Sequence, residues 1–221
     1  MNDVICTVDV VLLTIKDGGL SVALMKRDRN PYKDVLALPG GFVHVREDAD
    51  AHAAAWRVLK EKTGIEAPYL EQLATFSGPV RDPRGWSMSL AHYALVSHEV
   101  IAGAGHADVQ LRSVDQLMNL PFDHQAIIDT AVARLRSKSQ YSSLPCYLAG
   151  DTFTLPQLQR IYEALMGEPL NKVSFRRKMT EMGMLEAVEG QMEVGGAHRP
   201  AQLYRLKPGL RAQLALLARG L

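Results

Sequence analysis

The chain has 221 residues, 47% of them hydrophobic and 22% charged, with a formal net charge of +1. Such a composition suits an ordinary soluble globular protein of one large or two small domains, and no apolar run approaches the ~18–20 residues of a membrane span. The charge is uneven: residues 1–150 carry 15 Lys+Arg against 17 Asp+Glu, and residues 151–221 carry 10 against 7, so the C-terminal third is mildly basic and suited to an anionic partner.

The N-terminal "MNDVICTVDVVLLTI" holds Asp3 and Asp9 and lacks a basic n-region, so it reads as a first strand and not a signal peptide. "LSVALMKR" comes next across the turn signal "KDGG", which predicts a hairpin. "VLALPGGFV" is a short strand broken by Pro39, Gly40 and Gly41. From about Asp50 to Lys62 the chain is helical by propensity, with Gly64 as its stop. "LEQLATFSG" and "SMSLAHYALVSHEV" read as strands around "PVRDPRG". "FDHQAIIDTAVARLRSKSQ" is a long helix, with apolar residues at 127, 128, 131, 132 and 135. Cys6 and Cys146 lie far apart with no metal-ligand spacing, the usage of reduced thiols in a cytoplasmic protein.

"YSSLPCYLAGD" breaks the pattern and reads as a hinge, dividing a domain of residues 1–147 from one of residues 148–221. Beyond it, Thr154 and Asn171 are N-caps of two helices that stop at Gly167 and Gly183. Two short strands around a Gly-rich turn complete the layout of a winged helix-turn-helix.

Chemistry concentrates in "LPGGFVHVRED" and "RVLKEKTGI". A helix that holds magnesium or manganese needs oxygen ligands on one face, and positions 58, 61 and 62 share such a face. The two stretches resemble the signature of the Nudix hydrolases, G-x5-E-x7-R-E-U-x-E-E-x-G-U, through Gly41, Glu47, Arg57, Leu59, Glu61, Gly64 and Ile65. They depart from it in two ways. Nine residues separate Glu47 from Arg57 where seven are expected, and Val58 and Lys62 stand where two of the three clustered carboxylates belong. Glu47 and Glu61 are then remnants, and Lys62 opposes a cation and offers Glu61 an intramolecular ion pair. The residues therefore predict a Nudix-like fold without a catalytic metal.

Together with "RDPRGW", "LPFDHQAII", "TLPQLQRIYEALMGEPLNKVSFRRKM" and "HRPAQLYRL", these stretches resemble the Nudix-related transcriptional regulators of NAD metabolism along nearly the whole chain. The resemblance implies an α+β protein, with a Nudix-like α/β/α sandwich followed by a winged helix-turn-helix. It also implies a cytoplasmic homodimeric repressor on a pseudo-palindromic operator, with ADP-ribose or a related nucleotide as effector and no required cofactor. A working ADP-ribose or nucleotide-sugar pyrophosphatase, a regulator with slow hydrolysis and a regulator of sugar catabolism are the alternatives. A nucleotide diphosphate needs cations or amides for its phosphates and an aromatic face for its base. Arg27, Arg46, Arg81 and Arg84 are the expected phosphate contacts, Gly40 and Gly41 the close backbone approach, and Phe76 and Trp86 the stacking residues. Asp123 and His124 are candidates to orient the pocket, His124 equally a candidate helix-capping or packing residue. For DNA, Lys172, Ser174, Arg176, Arg177 and Lys178 are expected on the groove-reading helix, with Phe175, Met179 and Met182 seating it, and His198 and Arg199 at the wing tip.

Overall fold

An apolar, β-branched run without polar alternation must be covered on both faces, and β1 (Ile5–Lys16) is. The structure, a computed structural model, describes residues 4–193 and 200–207. Val8, Val10 and Leu12 of β1 pack toward α1 (Ala51–Thr63), beside Ala54, Ala55, Val58 and Leu59. Val11 and Leu13 point the other way, toward Ile127, Ile128, Ala131 and Leu135 of the long helix His124–Ser139. A helix thus covers each face of the sheet, which is the α/β/α sandwich expected.

β1 is central in a seven-stranded sheet. It pairs antiparallel with β2 (Gly19–Lys26) across Asp17 and Gly18, whose φ angles of +51° and +77° make the tight hairpin that "KDGG" foretold. The broken strand "VLALPGGFV" supplies β3 (Leu36–Ala37), which pairs antiparallel with β2, and β4 (Gly40–Phe42), which pairs with β1 in the register Asp9 to Gly40 and Thr7 to Phe42. On the other flank lie β5 (Tyr69–Gly78) and β6 (Ser87–Leu95), with β6 parallel to β1. The strand expected through "VSHEV" stops at Leu95, and α2 (His98–Ala104) begins after Ser97. β7 (Val109–Ser113), which the sequence did not lead us to expect, pairs with β2, and α3 is the helix His124–Ser139.

The segment read as a hinge is a buried 3-10 turn, Leu144–Leu148. Its side chains belong to one continuous apolar core that joins α3 to the C-terminal unit. That core includes Phe153 of β8 (Phe153–Thr154), Leu158, Ile161, Tyr162 and Leu165 of α4 (Leu155–Met166), and Phe175 and Met179 of α5 (Lys172–Glu181). Tyr162 donates its hydroxyl to the Ser142 carbonyl at 2.9 Å, across the junction. Thr154 and Gln157 form a reciprocal capping box at the start of α4, and Gly167 ends it at φ +76°. α5 starts on Asn171 as expected but ends at Glu181, short of Gly183. β9 (Leu185–Glu193) and β10 (Ala201–Leu206) pair antiparallel and, with β8, complete the winged unit. Among the described residues no helix is long and apolar enough to cross a membrane.

Candidate functional site

α1 carries the edited carboxylate face. Val58 is 1% exposed and packs against Gly41, where an added Cβ would lie 2.9 Å from a Val58 methyl. The position expected to carry a carboxylate in a hydrolase is here part of the apolar core. Arg57 forks onto Asp48, Nε to Oδ1 at 2.7 Å and Nη2 to Oδ2 at 2.8 Å, and also reaches the Phe42 carbonyl at 3.0 Å. Hydrogen bonds from Arg57 hold the Asp48 carboxyl down at about 2. One expectation, the ion pair of Glu61 with Lys62, is corrected at this point. The remnant Glu47, matched by spacing, is exposed and faces His44 at 3.0 Å, while Asp48 is the carboxylate that braces the helix. Glu61 is taken up by Arg57 at 3.2 Å and not by Lys62. Among the described residues no group of three or more His, Cys, Asp or Glu side chains is placed to hold a metal ion.

Between α1, β4 and the loop after β2 lies a cleft of about 550 Å3. Its floor is a polar cluster under α3. Asp9 accepts from Ser89 Oγ at 2.6 Å, and Arg81 Nη2 stands 3.7 Å away. The Leu38 amide donates to His124 Nδ1 at 3.0 Å, which leaves the ring proton on Nε2, facing Asp9 Oδ1 at 3.6 Å. Burial pushes the Asp9 carboxyl up, but His124, Ser89 and Arg81 outweigh it and leave the acid below its ordinary range. Gly40 is required there, because a Cβ would fall 2.2 Å from Asp9 Oδ1.

Arg27, Gly40, Gly41, Arg81 and Arg84 line the cleft. Arg81 is heavily engaged, forking onto Asp123 at 2.7 and 2.8 Å and reaching Ser87 Oγ at 3.2 Å. Arg84 forks onto the buried Asp82. Arg27 donates Nε to the Pro31 carbonyl at 2.8 Å. The structure does not bring Arg46, Phe76 or Trp86 to the cleft. Arg46 is exposed after β4, Phe76 packs on the main core, and Trp86 immediately precedes β6, its carbonyl accepting from the Ile5 amide. The aromatic residues that do line it are Phe42, with the Arg84 guanidinium 5.4 Å from its ring centre, and Phe122, with Arg27 at 4.9 Å and Tyr32 edge-on at 5.0 Å. Both stand inside the motif stretches "LPGGFV" and "LPFDH". Their position in the motif was the available signal.

On the winged unit, Phe175 and Met179 fix one face of α5 in the core, with the Tyr162 ring 5.4 Å from Phe175. The opposite face carries Val173, Arg176, Arg177 and Thr180 at helical spacing, all exposed. Lys172 and Ser174 are also exposed, and Lys178 is half-buried. Asn171 Oδ1 accepts from the Val173 and Ser174 amides at 3.1 and 3.0 Å, so the helix starts sharply at its cationic end. Val173, 77% exposed, was not singled out from the sequence. An apolar side chain between cations on a free helix face suits a thymine methyl in the major groove. His198 and Arg199 lie outside the described residues.

The NUDIX domain model matches residues 6–135, and the NrtR DNA-binding winged helix domain model matches residues 145–206. The chain is 41% identical over 203 residues to the ADPR responsive transcriptional repressor NtrR of Acinetobacter baylyi, covering 90% of this chain and 80% of that one. Its fold superimposes on Shewanella oneidensis NrtR complexed with a 27mer DNA at a TM-score of 0.89 and 36% identity, over 98% of this chain and 99% of that one. The NUDIX domain of the same Shewanella protein, complexed with ADP ribose, matches at 0.56 and 37% identity over 61% of this chain and 90% of that one. The chain belongs to the NrtR family of Nudix-related transcriptional regulators, a Nudix domain joined to an NrtR winged helix.

Proposed function

We propose that this chain is a cytoplasmic repressor of NAD biosynthesis or salvage genes. It binds a pseudo-palindromic operator as a homodimer through α5 and the wing. ADP-ribose or a close relative, held in the cleft, shifts the balance between its DNA-competent and DNA-incompetent states. A ligand moves such an equilibrium only by its differential affinity for the two states. The Nudix-like domain spans residues 1–147 and the winged domain residues 148–221. In this reading the Nudix domain binds the nucleotide without a required cofactor and does not hydrolyse it.

The observation that supports this reading most is that likeness to the DNA-bound relative runs through both units, covering 98% of this chain. The absence of hydrolysis is supported by Val58, whose side chain is committed to the core, and by Glu61, which is engaged by Arg57. The test is a mobility-shift titration against the chain's own upstream region, with and without ADP-ribose. Preference for that fragment over random duplex, altered by ADP-ribose, is expected. No preference under either condition overturns the reading.

A further inference from the structure

Nudix hydrolysis uses divalent ions to neutralise a diphosphate, yet the residues here do not fit one. Val58 is buried apolar, Glu61 is tied to Arg57, and Lys62 replaces a carboxylate. The same cleft is lined by seven lysine and arginine side chains. Most of its lysines and arginines are already paired with carboxylates. Lys26 pairs with Asp34, Arg29 with Asp28, Arg57 with Asp48, Arg81 with Asp123 and Arg84 with Asp82. Among the described residues, Lys62 and Arg27 are the cleft's two Lys/Arg side chains with no carboxylate within 4.0 Å.

We propose that Lys62, with Arg27, stands in for the divalent ion, its ammonium neutralising the diphosphate of the bound nucleotide so that binding needs no metal. This rests on the nucleotide reading above. Each linking phosphate of a nucleoside diphosphate sugar carries one negative charge, and two unpaired cations match the charge of one divalent ion. An ammonium supplies that charge but, unlike a metal ion, activates no water. The substitution therefore keeps binding and drops turnover. The local chemistry explains why Lys62 stays available. Its sequence neighbour Glu61 is drawn back along the helix by Arg57 at 3.2 Å, and nearby Asp28 is held by Arg29 at 3.1 Å. Lys62 lies half-buried on the cleft side of α1, one turn from Val58, which also lines the cleft.

The experiment is calorimetric titration of the full chain with ADP-ribose, in excess chelator and again in excess magnesium. Wild type is expected to bind equally in both. Lys62→Ala is expected to weaken binding about tenfold or more in both buffers, the loss of a charge-assisted contact to phosphate. Lys62→Arg should retain most of the affinity. Lys62→Glu should bind worst in chelator and recover in magnesium, because a new carboxylate beside Glu61 admits a cation. Unchanged affinity in Lys62→Ala, or wild-type binding abolished by chelator, overturns this inference and leaves the nucleotide reading standing. Failure of wild type to bind ADP-ribose in either buffer removes the nucleotide reading itself, and this inference with it.

Discussion

Asp48 accepts both arms of the Arg57 fork, at 2.7 and 2.8 Å, while its neighbour Glu47 turns outward to His44. The pair joins the loop after β4 to the middle of α1, and it titrates. The folded Asp48 carboxyl lies at about 2 against an ordinary 3.8. A lowered folded pKa contributes stability that is complete above the unfolded value and is lost as pH falls through the folded one. Acid unfolding of wild type should therefore show an extra loss between about pH 4 and pH 2 that Asp48→Asn lacks. At neutral pH, Asp48→Ala should cost roughly 2 kcal/mol, the scale of a charge-assisted hydrogen bond, as read by urea midpoints.

With magnesium or manganese, the purified protein should hydrolyse ADP-ribose far below ~1 per second, the lower end of ordinary enzyme turnover. Release of AMP measures this, and turnover at an ordinary rate would sink the regulator-only reading. Restoring carboxylates should be costly at position 58. Val58→Glu buries an acid among Ala54, Ala55 and Leu59. Its folded pKa would be raised, so its destabilisation should grow as pH rises above the usual carboxylate range. Thermal melts at pH 5 and pH 8 give the comparison, and the variant's deficit should be larger at pH 8.

On DNA, Arg176→Ala or Arg177→Ala should cost ~1–3 kcal/mol and relax sequence preference at particular base pairs. Loss of a phosphate contact should weaken all sequences alike and flatten the salt dependence, the behaviour expected of Arg199→Ala. Val173→Ala should lose affinity for an operator with thymine but not for one in which uracil removes the methyl groups. Mobility shifts at several salt concentrations separate these cases.

The shared core predicts cooperative unfolding of both units in one transition, with Tyr162→Phe lowering its midpoint. Ser142 is fully buried, and stranding its carbonyl costs about 1–3 kcal/mol. Cys146 reports the same event chemically. Burial pushes its thiol up to about 12, so it should resist a disulfide reagent at pH 8 until the core opens. Biphasic unfolding, or fast labelling of Cys146 in the native state, would contradict the single core.

Much of the fold could be read in advance because its signals are local. "KDGG" supplies the φ-positive pair at Asp17 and Gly18, Gly64 and Gly167 stop helices, and Thr154 and Asn171 start them. The features that escaped depend on three-dimensional partners. Spacing from Gly41 selects Glu47, but the path of the longer loop delivers Asp48 to Arg57. Phe76 and Trp86 look equivalent to Phe42 and Phe122 in the sequence, but only β4 and the loop before α3 come to the cleft, bringing Phe42 and Phe122 with them. The small residues and turn-like letters of "YSSLPCYLAGD" suggest slack, whereas Leu144, Cys146 and Tyr147 find a core already waiting on α3 and α4.

α3 has a mechanical property that arises from its two anchors. Its first residue, His124, stands on the cleft floor, with neighbouring Asp123 clamped by Arg81, and near its end Lys138 grips Glu71 at 2.6 Å. Sixteen residues of α-helix make a rod of about 24 Å. Turned by ~5° about one end, a rod of that length moves its other end by ~2 Å. That is enough to take a guanidinium out of hydrogen-bonding range of a base. The grip of Lys138 on Glu71 holds that far end to β5, so a tilt of α3 strains this ion pair before the shared core carries it to α5.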